Sequence, residues 1–251
     1  ALTLTSRGMG MKCVHRTKFF SSSYWPPVAK FPSISALVRG ECKGVDDKGA
    51  TEVPNDFVGV YYLNTSCPRF PPTSKNYHWF SGDGKIHAFY FRGNQVVDYQ
   101  TKWVRTRNFH LEEQAQRALF GNKKYGSRMD IDASVRHIRA QSANTNAIYH
   151  GGQLLALEDG NPPMALDPWT LDTIGSHNYA ECLTGPMTAH PHVDPSDGSL
   201  ISFGRMVDGP GSNIMTHLVV NASGELVEQQ RFEAPYCALL HDFAISQNHV
   251  L

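Results

Sequence analysis

Two segments of this chain indicate its fold: Thr188-Ala189-His190-Pro191-His192-Val193-Asp194-Pro195 and Leu239-Leu240-His241-Asp242-Phe243-Ala244-Ile245-Ser246. Each places a histidine among apolar or small residues, and His241 follows His190 by 51 residues. One blade of a β-propeller takes roughly 40–50 residues. Equivalent positions on successive blades face the same axis, so the spacing favours two histidines that meet at one metal ion. The alternative is a pair of ordinary core histidines.

Turn signals between these segments recur at a constant interval. Asp167-Pro168, Asp194-Pro195 and Asn221 with Ser223-Gly224 each precede a strand-like run, and successive turns are 27 residues apart. Two such steps amount to about one blade. The interval favours a repeated β-structure.

Short strand-like runs also occur upstream of these turns. Ile86 to Phe91 and Val96 to Val104 predict one β-hairpin, and Ala147 to Leu157 predicts another around Gly151-Gly152. Apolar residues at helical spacing from Leu111 to Gly121 predict one short helix. We therefore predict an all-β fold with a single short helix. A propeller is favoured over a sandwich or a barrel.

Composition narrows the functional classes. The chain has 251 residues with 23 basic and 23 acidic side chains, and this balance does not indicate a nucleic-acid-binding surface. No apolar run approaches the roughly 18 residues of a membrane span. The five cysteines are scattered and lack CxxC spacing, which argues against a disulfide framework and against a cysteine zinc site. A reducing, cytoplasmic location is the simpler expectation.

The first 40 residues form a separate compositional region. They contain no Asp or Glu but several Arg and Lys residues, which is typical of a transit peptide. An irregular N-terminal arm is the alternative. We therefore expect an arm or targeting segment over residues 1–40 and a β-propeller domain over residues 41–251.

The order of several motifs carries a family resemblance. Three segments resemble signature segments of the carotenoid cleavage oxygenases: Tyr77-His78-Trp79-Phe80-Ser81-Gly82-Asp83-Gly84, Thr188-Ala189-His190-Pro191 with Val193-Asp194-Pro195, and Leu240-His241-Asp242-Phe243-Ala244-Ile245. The resemblance extends in order from about Glu41 to Leu251. Leu111 to Gly121, with Ser142-Ala143-Asn144-Thr145-Asn146, is most similar to the stilbene-cleaving branch, the lignostilbene dioxygenases.

The resemblance implies a seven-bladed β-propeller that holds a non-haem Fe(II) on its axis through four histidines. His190 and His241 match the first two of these ligands, whereas His192 matches none and is expected to be a turn residue. In the family, an acid accepts the proton of the far imidazole nitrogen and so fixes the tautomer. That acid falls near Glu158 or Asp159, and an ungapped reading favours Asp159; a solvated turn is the alternative for both.

The resemblance also implies a reaction. Fe(II) and O2 would split the double bond of a hydrophobic or phenolic alkene into two carbonyl products. Tyr77, Trp79 and Phe80 are candidate substrate contacts, with plain core packing beneath the hairpin as the alternative. The stilbene branch polarises its phenol with a tyrosine and a lysine. Tyr77 is a candidate for that tyrosine, but the segment from Trp103 to His110 contains no lysine.

The chain departs from the family pattern at its end. Leu251 follows directly after the second histidine segment, where relatives continue and supply two further ligands, so we expect the N-terminal half of an incomplete propeller. Two other functions stay open at this point. One is an inactive partial propeller that binds a small aromatic ligand or a partner. The other is a zinc hydrolase, which would need a third ligand although no HExxH motif is present.

Overall fold

The computed structural model describes residues 58–73, 77–92, 95–121, 131–246 and 249–251. The N-terminal arm or targeting segment predicted over residues 1–40 lies outside these ranges. Within them the chain is mostly β-structure, with three antiparallel sheets and one α-helix, which confirms the all-β prediction.

Each sheet is built from strands that follow one another along the chain. The first sheet contains β1 (Val58–Ser66), β2 (Gly84–Arg92) and β3 (Gln95–Trp103). The second contains β4 (Asn146–His150), β5 (Gln153–Leu157), β6 (Met164–Leu166) and β7 (Thr173–Ser176). The third contains β8 (His192–Val193), β9 (Leu200–Gly204), β10 (Ile214–Val220) and β11 (Leu226–Glu233).

Both predicted hairpins are present. β2 pairs with β3, and β4 pairs with β5 so that Ile148 lies opposite Leu155. The β4–β5 turn consists of Gly151 and Gly152, whose φ angles of +54° and +81° favour glycine. A Cβ on Gly151 would also lie 2.3 Å from the Cα of Gly224 in the β10–β11 turn. Glycine thus allows turns from two sheets to touch.

The 27-residue interval corresponds to every second strand connection. Asp167 precedes β7, Asp194 precedes β9 and Asn221 precedes β11. Each side chain accepts a hydrogen bond from the backbone N–H two residues later, at 2.9, 2.8 and 3.1 Å respectively. Such bonds stabilise turns locally, which is why the turns were visible in the sequence.

Strands β4 to β6 of the second sheet lie between the other two sheets and are mostly buried, whereas β7 at its edge is partly exposed. Along β5, Leu154 and Ala156 pack in a core shared with the first sheet, whereas Leu155 and Leu157 pack in a core shared with the third. Successive strand residues point to opposite faces, so a continuous apolar run belongs between two packed sheets. The carboxyl end of β5 leads directly to the acids of the candidate site.

The helix, α1, spans Arg107–Ala115 rather than the predicted Leu111 to Gly121. It begins at a cap, since the Thr106 hydroxyl accepts a hydrogen bond from Phe109 N at 3.2 Å. It ends where Gln116 adopts φ +53°. The later apolar residues fold back instead, because Leu119 N and Phe120 N donate to the Glu112 carboxylate at 2.8 and 3.0 Å.

The described residues bear on two sequence expectations, the lack of a disulfide framework and the lack of a membrane span. Their three cysteines, Cys67, Cys182 and Cys237, are free thiols. None of the helices in the described part of the chain has the length and apolar character needed to cross a membrane.

Candidate metal centre

His190 lies in the turn that leads from the second sheet into β8, and its backbone is fixed against the third sheet. Thr188 N donates to Phe203 O of β9 at 2.7 Å. The next residue, Ala189, is fully buried. His190 N in turn donates to the Thr188 hydroxyl at 3.2 Å. The core therefore fixes the position of this histidine.

His241 lies on an irregular segment after β11, and its side chain is half exposed. Hydrogen bonds hold His241 itself, while Phe243 in the same segment packs edge to face against the buried Phe203. The Thr188 hydroxyl donates to His241 O at 3.1 Å, and His241 Nδ1 lies 2.7 Å from Asp159 Oδ2. Thr188 thus bonds the backbone of both histidine segments.

The two imidazoles meet at their Nε2 atoms, which are 3.0 Å apart, with ring planes inclined at 79°. Asp159 accepts the Nδ1 proton of His241, which leaves a lone pair on Nε2. Metal–imidazole bonds of roughly 2.1 Å at a right angle would separate two nitrogens by about 3.0 Å. The pair fits two adjacent ligands of one metal ion.

The two predicted acids have different environments. Asp159 Oδ1 accepts from Ala189 N at 3.0 Å while its Oδ2 faces His241, so one carboxylate connects both histidine segments. Glu158 is buried and accepts from Ser142 N at 3.1 Å and from Asn161 Nδ2 at 2.6 Å. Neither acid is a solvated turn residue, and Asp159 is the one that reaches a histidine.

His192 is not the turn residue that the sequence suggested. It begins β8, and its Nε2 lies 2.9 Å from Phe243 O in the second histidine segment. The two rings also contact edge to face, with centroids 4.7 Å apart. Sequence reasoning missed this contact, although Phe243 follows His192 by the same 51 residues that separate His190 from His241.

The surroundings favour a neutral, metal-binding form of His190. Burial lowers its pKa, and the neighbouring His241 lowers the pKa further. Asp242 and Asp159 act in the opposite direction with smaller effect. Because a metal competes with the proton for the same nitrogen, a lowered pKa leaves the imidazole ready to bind.

Further protein ligands are not found in the described part of the chain. Within it, no group of three or more His, Cys, Asp or Glu side chains is arranged to hold a metal ion. The described residues therefore offer a pair of imidazole ligands and one supporting carboxylate. They do not offer the third ligand that a zinc hydrolase would need.

The three candidate substrate contacts lie before β2 on the first sheet, whereas the histidine pair lies beside the third. Trp79 is 46% exposed and its ring centroid lies 3.8 Å from that of Phe80, so core packing does not account for Trp79. Tyr77 has a buried hydroxyl with no hydrogen-bond partner among the described residues. Burial raises the pKa of Tyr77, with further contributions from Asp83 and Glu112. Whether these side chains touch a substrate stays a prediction.

Known proteins are similar to this chain over most of its length. Residues 38–251 match the family model described as "RPE65: Retinal pigment epithelial membrane protein". Resveratrol cleavage oxygenase 1 of Aspergillus fumigatus is 37% identical over 215 residues, which cover 85% of this chain and 42% of that protein. Isoeugenol monooxygenase of Pseudomonas nitroreducens is 37% identical over 199 residues, which cover 78% of this chain and 41% of that protein.

Solved structures give the same result. The crystal structure of Pseudomonas brassicacearum lignostilbene dioxygenase is similar with a TM-score of 0.72 and 30% identity, covering 79% of this chain and 41% of that one. The crystal structure of cobalt-substituted Synechocystis ACO is similar with a TM-score of 0.60 and 31% identity. The match covers 77% of this chain and 42% of that one. The chain thus spans only 41–42% of the length of these proteins.

Proposed function

Because this chain belongs to the RPE65, or carotenoid oxygenase, family, we propose that it supplies the first two iron ligands of an alkene-cleaving dioxygenase. The reaction would use O2 to split the double bond of a stilbene or carotenoid-type substrate into two carbonyl products. Relatives named for resveratrol cleavage and for a lignostilbene dioxygenase support this reaction class. The three sheets would be blades of the family's seven-bladed propeller.

The observation that carries this proposal is the 3.0 Å approach of His190 Nε2 to His241 Nε2. With the His241 proton on Nδ1, His241 Nε2 accepts a hydrogen bond from a His190 that carries its proton on Nε2, and the two nitrogens share a cation once a metal displaces that proton. Fe(II), when bound by these nitrogens, would supply the redox centre that lets O2 react with an alkene. A relative solved with cobalt in place of its own metal supports a divalent cation here.

The remaining residues have supporting roles in this proposal. Asp159 keeps the proton of His241 on Nδ1, so that Nε2 stays directed at the metal. The Thr188 hydroxyl fixes the separation of the two histidine backbones. Tyr77, Trp79 and Phe80 would contact a hydrophobic or phenolic alkene. Aromatic side chains suit such a ligand because they bury large apolar area.

Metal binding tests the proposal directly. We expect the purified chain to bind Co(II), used as an air-stable probe, and to lose affinity in His190→Ala and in His241→Ala. Affinity for Co(II) should fall at least roughly 10–100-fold. That is the effect typical of losing a residue that hydrogen-bonds to a metal ligand, and here the ligand itself is removed. His110→Ala is the matched control, because His110 is exposed on α1. Isothermal titration and the visible cobalt spectrum give the readouts.

Two further results bear on the reaction. Fe(II)-loaded protein given resveratrol and O2 should consume O2 and release aromatic aldehydes if the chain is catalytically competent. Cobalt binding that persists in both histidine variants would contradict the proposed centre. Binding of an aromatic ligand without any metal binding would instead identify an inactive ligand-binding protein.

A further inference from the structure

A buried asparagine of the second sheet holds the peptide bond that leads into His190. Asn146, the first residue of β4, is buried, and its Nδ2 donates to Ala189 O at 2.7 Å. Ala189 O belongs to the peptide bond between Ala189 and His190. The N–H of the same peptide donates to the Thr188 hydroxyl at 3.2 Å. Side chains therefore bind both polar groups of this peptide.

This bond acts on one of the two candidate ligands. Asp159 connects both histidine segments, since it accepts from Ala189 N at 3.0 Å and lies 2.7 Å from His241 Nδ1. The bond from Asn146 goes to the His190 segment. A change at Asn146 therefore acts on His190 while the bond between Asp159 and His241 stays in place.

The bond from Asn146 repeats a bond one sheet earlier. Asn64 in β1 donates through Nδ2 to Asn146 O at 2.9 Å, just as Asn146 donates to Ala189 O. Each asparagine thus bonds a main-chain carbonyl at, or just before, the first strand of the following sheet. The two bonds connect the first sheet to the second and the second sheet to the His190 segment.

The oxygen atoms of the same two amides show what these positions require. Asn64 Oδ1 and Asn146 Oδ1 are buried and have no hydrogen-bond partner within the described part of the chain. A buried acceptor without a partner is destabilising, and an apolar side chain of similar size would avoid that cost. Such a side chain would not donate to Ala189 O. The N–H donor is therefore the property that asparagine supplies at position 146.

We propose that Asn146 is a positioning residue for the metal centre, which directs the His190 imidazole by fixing the carbonyl of the Ala189–His190 peptide. This inference rests on the proposed function, because His190 is one of the two ligands proposed there. The peptide unit is planar, so holding its C=O and its N–H fixes the N–Cα bond of His190 and restricts where the imidazole can reach. In this role Asn146 contacts neither the metal nor the substrate.

Cobalt binding by Asn146→Leu tests this role, with Tyr62→Phe as the matched control. The Tyr62 hydroxyl donates to Pro168 O at 2.6 Å, so the control also loses one side-chain bond between the first and second sheets. We expect Asn146→Leu to bind Co(II) about tenfold more weakly, the lower end of the range for residues that support a ligand. Its visible cobalt bands should shift, because they report ligand geometry. Tyr62→Phe should keep the wild-type affinity and spectrum although its melting temperature falls.

Hydrogen exchange in the metal-free chain gives a second readout. The Ala189 amide, which donates to Asp159 Oδ1 at 3.0 Å, should exchange about fivefold faster in Asn146→Leu. In Tyr62→Phe it should exchange at close to the wild-type rate. Asn146→Ala replaces the leucine variant if leucine prevents folding, and it should give the same changes in cobalt affinity and amide exchange.

The possible failures can be told apart. A folded Asn146 variant with wild-type cobalt affinity and spectrum would overturn the inference alone. An equal loss of affinity in Tyr62→Phe would also overturn it, because the effect would then follow general stability. Failure of the wild-type chain to bind Co(II) would instead overturn the proposed function, and this inference with it.

Discussion

His87 in the first sheet and the His190–His241 pair beside the third sheet show two ways to hold an imidazole. His87 Nδ1 lies 2.7 Å from the Tyr99 hydroxyl, and its Nε2 lies 3.2 Å from the Thr65 hydroxyl. Both of its ring nitrogens therefore hydrogen-bond to protein hydroxyl groups. In the pair, the Nε2 of each histidine faces the Nε2 of the other.

The difference distinguishes a structural histidine from a candidate ligand. A hydroxyl donates or accepts as required, so the His87 environment accommodates either neutral tautomer without a cation. Once Asp159 holds the proton on His241 Nδ1, His241 Nε2 is an acceptor whose partner is a second imidazole nitrogen, and a metal can bind both nitrogens after displacing the His190 proton. Burial alone does not make this distinction, because it lowers the pKa of both His87 and His190.

Among the variants that test this comparison, Asp159→Asn is expected to have the largest effect, a loss of affinity for Co(II). Asp159→Asn removes the charge that holds the His241 tautomer, and we expect affinity for Co(II) to fall about 10–100-fold. The control is Asp167→Asn, because Asp167 accepts hydrogen bonds only within its own turn in the described contacts. Isothermal titration of both variants measures the difference. Equal affinity of Asp159→Asn and wild type would show that the His241 tautomer needs no support.

The next prediction concerns the pH dependence of stability at His87. Burial, with a smaller contribution from Lys85, lowers the pKa of His87 to about 4 from an ordinary value of 6.5. The unfolded chain therefore binds a proton at pH 5 that the folded chain does not, so stability falls as the pH drops below 6.5. We expect a loss of about 2 kcal/mol between pH 7 and pH 5 from this residue.

Urea denaturation of the wild type and of His87→Gln at both pH values measures this contribution. The variant should lack the loss of about 2 kcal/mol while keeping the pH dependence of all other groups. Cobalt affinity at pH 7 should be the same in both proteins. A variant with the same pH dependence as the wild type would mean that His87 is not buried in its neutral form.

Local sequence signals predicted the parts of the fold that local contacts determine. The turns at Asp167, Asp194 and Asn221 were identifiable because each side chain bonds a backbone N–H two residues later. The His190 and His241 pair was predictable because its spacing reports a repeat in the fold. The turns form through local bonds, whereas the histidine pair is a contact across 51 residues that its spacing alone indicated.

Features that depend on tertiary contacts were missed or misplaced. The two-residue strand that begins at His192 is too short to show a period, so its contact with Phe243 gave no signal. The helix was placed too late because Leu119 packs by folding back onto Glu112 rather than by extending α1. The amide of Asn108 has no hydrogen-bond partner among the described residues, and a sequence pattern does not report this because it depends on the packing of distant neighbours.

The smallest expected effect concerns how the His241 segment is held. His192 resembles His87 in that its Nε2 ends on a protein oxygen, Phe243 O at 2.9 Å. His192→Leu should remove one hydrogen bond worth about 1 kcal/mol while keeping apolar contact with Phe243. The amides of Ala244 and Leu251, which bond each other's carbonyls at 3.0 and 2.9 Å, should then exchange about fivefold faster.

Hydrogen exchange followed by NMR measures this change, and His150→Leu is the matched control. His150, at the end of β4, also has its Nε2 2.9 Å from a carbonyl, that of Gly198 in the β8–β9 turn. Its loss should leave the Ala244 and Leu251 amides unchanged. Unchanged exchange in His192→Leu as well would mean that Asp159 and Thr188 alone position His241. The second ligand would then be held by the Asp159 carboxylate and the Thr188 hydroxyl alone.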